Sequence, residues 1–215
     1  IPILEYIRIL YGEERMMEAV AATRMNVDYL RNSSNWIIFD YFSRLLDELV
    51  RISGEPLAPF YASCLYSNIA SFRSIAVFFA HLGSTASVCR LMVRFHTLWD
   101  KICEYKILRL TKTSCVMSVR FTRQRQNRNN CLSLQGSFAA IPRIFGLPSA
   151  KITEIQCSCN GADACVYEIS WINKPSKLWG SVGFVAGLTA WVLIGHFSES
   201  RMADPLLGLV LTIAG

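Results

Sequence analysis

The sequence predicts an α+β domain, helices packed on an antiparallel sheet, followed by a C-terminal transmembrane helical hairpin. Three observations carry this. Apolar residues recur at three-and-four spacing in the first half of the chain, two pairs of alternating segments follow from Tyr105 onward, and an uncharged apolar run stands near the C-terminus. The expected division is a helical lead-in over 1–30, a main domain over 31–173, and a linker with membrane helices over 174–215.

The elements follow in order. Residues 1–30 read as helix with charges between the apolar positions, and could be a dimerising lead-in. RNSSNW supplies an N-cap cluster, after which Trp36, Phe39, Phe42, Leu45, Leu46, Leu49 and Ile52 mark an amphipathic helix that Ser53-Gly54 ends. Residues 60–81 read as one or two further helices and 84–102 as another. YKILRLTK and CVMSVRFT then alternate around a Lys112-Thr113-Ser114 turn, as paired strands do. TRQRQNRNN is a loop, CLSLQGSFAAIPRIFG a helix closed by Gly146, and KITEIQCSC with CVYEISWI a second hairpin.

From Leu178 to Phe197 the chain carries no Asp, Glu, Lys or Arg. As a helix this run covers about 30 Å, the thickness of a bilayer core. A buried core helix is the alternative, since 52% of residues are hydrophobic. Trp179 at the start of the run favours the membrane. A second apolar run from Leu206 reaches only about half way across a bilayer, so the chain is expected to continue beyond it. Lys174 and Lys177 precede the first span in a chain of net charge +6, which places the N-terminal domain in the cytoplasm at the inner membrane. Eight cysteines in a reducing compartment are then free thiols or metal ligands rather than disulfides.

In ITEIQCSCNGADACVYEISW the hairpin brings Cys157 near Cys165. Glu154 could join them only through a bulge, because residues 154 and 157 otherwise face opposite sides of a strand. Cys159 shares a face with Cys157 and competes. The spacing C-x-C-x5-C is not a common finger pattern, and buried free cysteines acting as small hydrophobes remain the alternative.

The pattern Cys131-x22-Glu154-x2-Cys157-x7-Cys165 resembles the zinc-binding signature of 4-vinyl-reductase-type domains. These are small-molecule sensor modules, similar to the N-terminal sensor domain of phenol- and toluene-responsive activators. The resemblance runs loosely over residues 25–172. It implies a fold like that of the TRAPP vesicle-tethering subunits, a homodimer, and a structural zinc held by Cys131, Glu154, Cys157 and Cys165. The activators' phenol-pocket histidine and tryptophan do not align with His81, His96, Trp36 or Trp99, so their ligand specificity does not carry over.

Phe78, Leu91, Phe95, His96 and Trp99 are candidates to line a ligand pocket, or else ordinary core. His96 could be an axial heme ligand or a packed core residue. No acid stands between Glu104 and Glu154, where nine Lys and Arg residues fall. That stretch is a solvated face, a surface for anionic headgroups or, least favoured, a nucleic-acid contact. No dinucleotide fingerprint or nucleophile arrangement suggests an enzyme. The expected function is ligand sensing, of a small hydrophobic molecule, by the cytosolic part of a membrane-anchored bacterial signalling protein. Its output domain, such as a histidine kinase or a nucleotide or diguanylate cyclase, would lie beyond this chain. The alternative is a dimeric scaffold that senses nothing.

Overall fold

A computed structural model of the chain describes residues 2–31, 35–65, 83–98, 100–122 and 127–173. The anticipated membrane segments, together with Phe78, His81, Trp99 and His196, lie outside the described residues. Among the described residues no helix is long and apolar enough to cross a membrane. Residues 1–173 form one compact unit.

Four helices come first: α1 (Pro2–Thr23), α2 (Val27–Arg31), α3 (Phe39–Ser53) and α4 (Ala58–Cys64). Gly12, at φ 90° and ψ 166°, breaks α1 into two helical pieces, a backbone state that a side chain would resist. The Asn and Ser cluster after Arg31 does not cap α3, which starts three residues later than Trp36 with Ile38 at its N-cap and no side-chain cap bond. Its other end is at Gly54, as the sequence indicates. Ile3, Ile7, Leu46 and Leu49 are fully buried between α1, α3 and α4, each contributing about 1.5–3 kcal/mol by burial. The first helix is therefore part of the domain's core.

Then come α5 (Thr85–Phe95), capped by the Ser84 side chain, and a 3-10 turn over His96–Leu98. The helix expected to run to Ile102 stops here, and strand pairing takes over. Strands β1 (Cys103–Leu110) and β2 (Ser114–Phe121) form the first hairpin. Helix α6 (Arg128–Ala140) begins one turn before Cys131, capped by Asn127, and a 3-10 stretch over Ile141–Phe145 continues it to Gly146. Strands β3 (Lys151–Gln156) and β4 (Cys165–Ser170) form the second hairpin.

The α+β expectation holds: the strands make one four-stranded antiparallel sheet in the order β1-β2-β4-β3. Its inner face, with Met117, Val119, Tyr167 and Ile169, packs on α5 and on Phe138 of α6 as a second core. Helices α4 and α6 meet closely. A Cβ added at Gly136 would stand 2.9 Å from the Ser63 Cβ, 3.0 Å from the Phe60 carbonyl carbon and closer still to its oxygen. Across this seam the buried hydroxyls of Ser63 and Ser133 are hydrogen-bonded at 2.8 Å.

The basic interval is not a bare charged face. Arg109, Arg120 and Arg128 are ion-paired with Glu168, Glu104 and Glu154, acids at or beyond the interval's ends that the sheet and α6 bring alongside.

Candidate functional sites: an imidazole and a thiol cluster

His96 caps the C-terminus of α5, and its Nδ1 lies 2.8 Å from the Val93 carbonyl oxygen. A carbonyl only accepts, so Nδ1 carries a proton, and in the neutral ring Nε2 keeps a lone pair. Among the described residues Nε2 has no partner. The ring is half-buried against Tyr105, with centroids 5.6 Å apart. Beside it, Phe95 is 42% exposed and Leu98 69% exposed. Of the other pocket candidates, Leu91 is half-buried on α5, while Phe78 and Trp99 lie outside the described residues.

The second site is built by α6 and the β3–β4 hairpin. The irregularity needed at Glu154 exists, for the β3–β4 register shifts between Glu154 and Gln156. Past it the chain turns through Cys157, a 3-10 turn over Ser158–Asn160, and Gly161. This tight turn brings Cys157 and Cys159 to the same place, facing Cys131 on α6. The Cys131 Sγ lies 3.3 Å from that of Cys157, 3.5 Å from Cys159 and 3.9 Å from Cys165, and Cys157 and Cys165 are also 3.9 Å apart. Sulfurs around one tetrahedral ion with bonds of ~2.3 Å stand about 3.8 Å apart. Cys131, Cys157 and Cys165 are buried and Cys159 is exposed.

Glu154 points its carboxylate elsewhere. Arg128 Nη1 reaches its oxygens at 2.9 and 2.6 Å, and the Gln135 amide donates to one of them at 2.8 Å. Cys159, the local competitor in the sequence, is the residue that joins the sulfurs.

Hydrogen bonding polarises the cluster. The bond from Cys131 holds the Cys165 thiol below its ordinary range, helped by the Ser158 hydroxyl and N–H. Cys131, the donor, is raised by that same bond and by its burial. The Tyr167 hydroxyl is completely buried beside the weakly accepting sulfurs of Cys131 and Cys165 and makes no well-formed hydrogen bond among the described residues. Burial and the neighbouring thiols raise its pKa, so it stays a proton donor. Three ring contacts span the space between the two sites: His96 to Tyr105, Tyr105 to Phe138 at 6.5 Å, and Phe138 to Tyr167 at 5.9 Å.

No family model matches the chain, and no curated protein matches it. Solved structures do. The Fe(II) unliganded H-NOX protein from K. algicida superposes with a TM-score of 0.61 at 11% identity, covering 81% of this chain and 95% of that one. The S. oneidensis H-NOX protein in its Fe(II)NO state gives 0.61 at 13%, covering 80% and 99%. An oxygen-binding H-NOX domain related to soluble guanylate cyclases gives 0.58 at 14%, covering 80% and 92%. The chain has an H-NOX-like fold.

That finding corrects two expectations. The resemblance to 4-vinyl-reductase-type domains does not stand, because the structures sharing this fold are H-NOX domains. It rested on three spacings, and any helix followed by a bulged hairpin can reproduce them. The structural zinc implied by it is set aside too, since the neighbours are heme-binding domains. Two of these neighbours are described with a bound gas, NO in one and oxygen in the other.

Proposed function

We propose that this chain is a ligand-sensing domain of H-NOX type, which holds a heme through His96 and responds to a diatomic gas. The observation that carries the reading is His96 itself. Its proton is committed to the Val93 carbonyl, its Nε2 lone pair is unpartnered among the described residues, and exposed Phe95 and Leu98 flank it. A neutral imidazole with a fixed tautomer is what an axial iron ligand requires, and bare apolar side chains suit the face of a macrocycle. Bound heme iron would supply the coordination position for a gas such as the NO or oxygen carried by the neighbours. Helix α5 and the 3-10 turn hold the imidazole, and Tyr105 covers its ring.

The test is reconstitution of the apoprotein with heme under reducing conditions, followed by absorption and resonance Raman spectra. Wild type should give a saturable Soret band and an iron–histidine stretch. His96→Gly should lose both, and free imidazole should restore them. Binding by His96→Gly with an unchanged spectrum removes the reading.

We propose Cys131, Cys157 and Cys165 as thiolate ligands of a soft metal ion, with Cys159 rather than Glu154 as the fourth. The sulfurs of Cys131, Cys157 and Cys159 lie within 4.8 Å of one another, Cys165 stands 3.9 Å from Cys131 and from Cys157, and Glu154 is already engaged by Arg128 and Gln135. Cobalt(II) added to reduced protein should give intense thiolate-to-metal absorption, weakened in Cys159→Ser and kept in Glu154→Gln. The reverse pattern returns Glu154 to the ligand set.

The expectation of a cytoplasmic, membrane-anchored signalling protein is retained within this proposal. Its support is the uncharged run Leu178–Phe197 and the basic flank before it.

A further inference from the structure

We infer that Tyr105, anchored by Asp100, is the positioning residue of the His96 site; this rests on the reading of His96 as the axial ligand. A ligating imidazole is oriented by what its second nitrogen bonds and by what packs on its ring. The bond from Nδ1 to Val93 fixes the tautomer, but it joins two residues of one helix end and ties the ring to nothing outside it.

Tyr105 and Asp100 supply that tie in a closed circuit. The Asp100 N–H donates to the His96 carbonyl at 2.8 Å. Its carboxylate accepts from the N–H groups of Ile102 and Cys103 at 2.9 and 3.1 Å through one oxygen, and from the Tyr105 hydroxyl at 2.8 Å through the other. The Tyr105 ring then returns to the imidazole. Backbone, carboxylate, phenol and ring thus link the end of α5 to the start of β1, with His96 at both ends of the circuit. Phe138 stands edge-on to Tyr105 at 82°, which blocks the phenol ring from swinging away. The phenol oxygen is enclosed although the residue as a whole is half-buried. Burial first, and the nearby Cys103 and Asp100 next, raise its pKa, so it keeps donating to Asp100.

The test compares Tyr105→Phe, Tyr105→Leu and Asp100→Asn with wild type in two measurements on the full chain. The first uses histidine-15N-labelled protein without heme and follows exchange of the His96 Nδ1 proton with water. Wild type should exchange slowly, Tyr105→Leu and Asp100→Asn faster, and Tyr105→Phe, which keeps the ring, in between. The second is heme affinity and the iron–histidine stretch after reconstitution. Loss of an orienting partner should weaken affinity about 10- to 100-fold and shift the stretch, with partial rescue in Tyr105→Phe. A folded Tyr105→Leu with wild-type exchange and a wild-type stretch overturns the inference. Faster exchange in the variants while wild type binds no heme sustains the positioning role and overturns the ligand reading instead, so the two failures are distinguishable. Should Tyr105→Leu not fold, the exchange order of Tyr105→Phe and Asp100→Asn decides: wild-type behaviour in both overturns the inference.

Discussion

Replacing Gly136 by Ala sets two effects against each other. Intrinsic helix propensity favours alanine within α6 by about 1 kcal/mol. The seam with α4 opposes it. The new Cβ would stand 2.9 Å from the Ser63 Cβ and 3.0 Å from the Phe60 carbonyl carbon, with the Phe60 oxygen nearer still. Carbon and oxygen in contact keep ~3.3 Å or more, so α4 and α6 must separate by roughly 1 Å. Neither obstructing atom of Phe60 belongs to a movable side chain. Overpacking of this kind costs about 1–3 kcal/mol, and weakening the buried Ser63–Ser133 bond adds about 1. After subtracting the propensity gain, Gly136→Ala should destabilise by about 1–3 kcal/mol. Urea unfolding with an unchanged slope is the assay. Because Cys131 lies on the same helix, the cobalt(II) thiolate absorption should weaken as well. A variant as stable as wild type, or more stable, shows that propensity wins and that the α4–α6 contact is not as close as described.

Other substitutions give simpler expectations. Tyr167→Phe removes a buried hydroxyl that makes no well-formed hydrogen bond among the described residues, so the metal-free protein should gain up to about 1 kcal/mol in urea unfolding. Asn127→Ala deletes the side chain that accepts from the Asn130 N–H at 2.9 Å and should cost about 1 kcal/mol, read as a lower denaturation midpoint. Leu46→Ala, at a fully buried position between α1, α3 and α4, should cost about 2–5 kcal/mol in the same experiment, and an effect below about 1 would mean that this core is not packed as described.

The sequence made the order of elements legible because local signals carry it: alternation for β1 to β4, three-and-four spacing for α3, Gly54 and Gly146 as stops. Boundaries failed where tertiary pairing outranks propensity. The segment at 84–102 loses its last turns to strand formation at Cys103, and the Asn and Ser cluster near α3 does not cap it. The thiol cluster was half legible. Strand alternation put Cys157 and Cys159 on one face, but only the 3-10 turn, a matter of backbone angles, selects Cys159 and leaves Glu154 to Arg128. Spacing alone led to the wrong family, since at 11–14% identity the likeness to H-NOX domains resides in the path of the backbone and not in shared side chains. For His96 the pattern favoured a packed core residue over a ligand. The hydrogen bond to Val93 and the exposed neighbours, on which the proposed ligand role rests, are not encoded by periodicity. The charge run looked unpaired because its partners, Glu104, Glu154 and Glu168, are near in space but at the margins in sequence.

Phe138 belongs to both neighbourhoods. It is completely buried, with Tyr105 against one edge and Tyr167 against another. Such an interior transmits displacement, because close-packed side chains have no slack to absorb it. The imidazole and the sulfurs therefore lean on a common partition. Whatever thickens or thins that partition must register on both sides of it, and the two sites are to be measured together when either is changed.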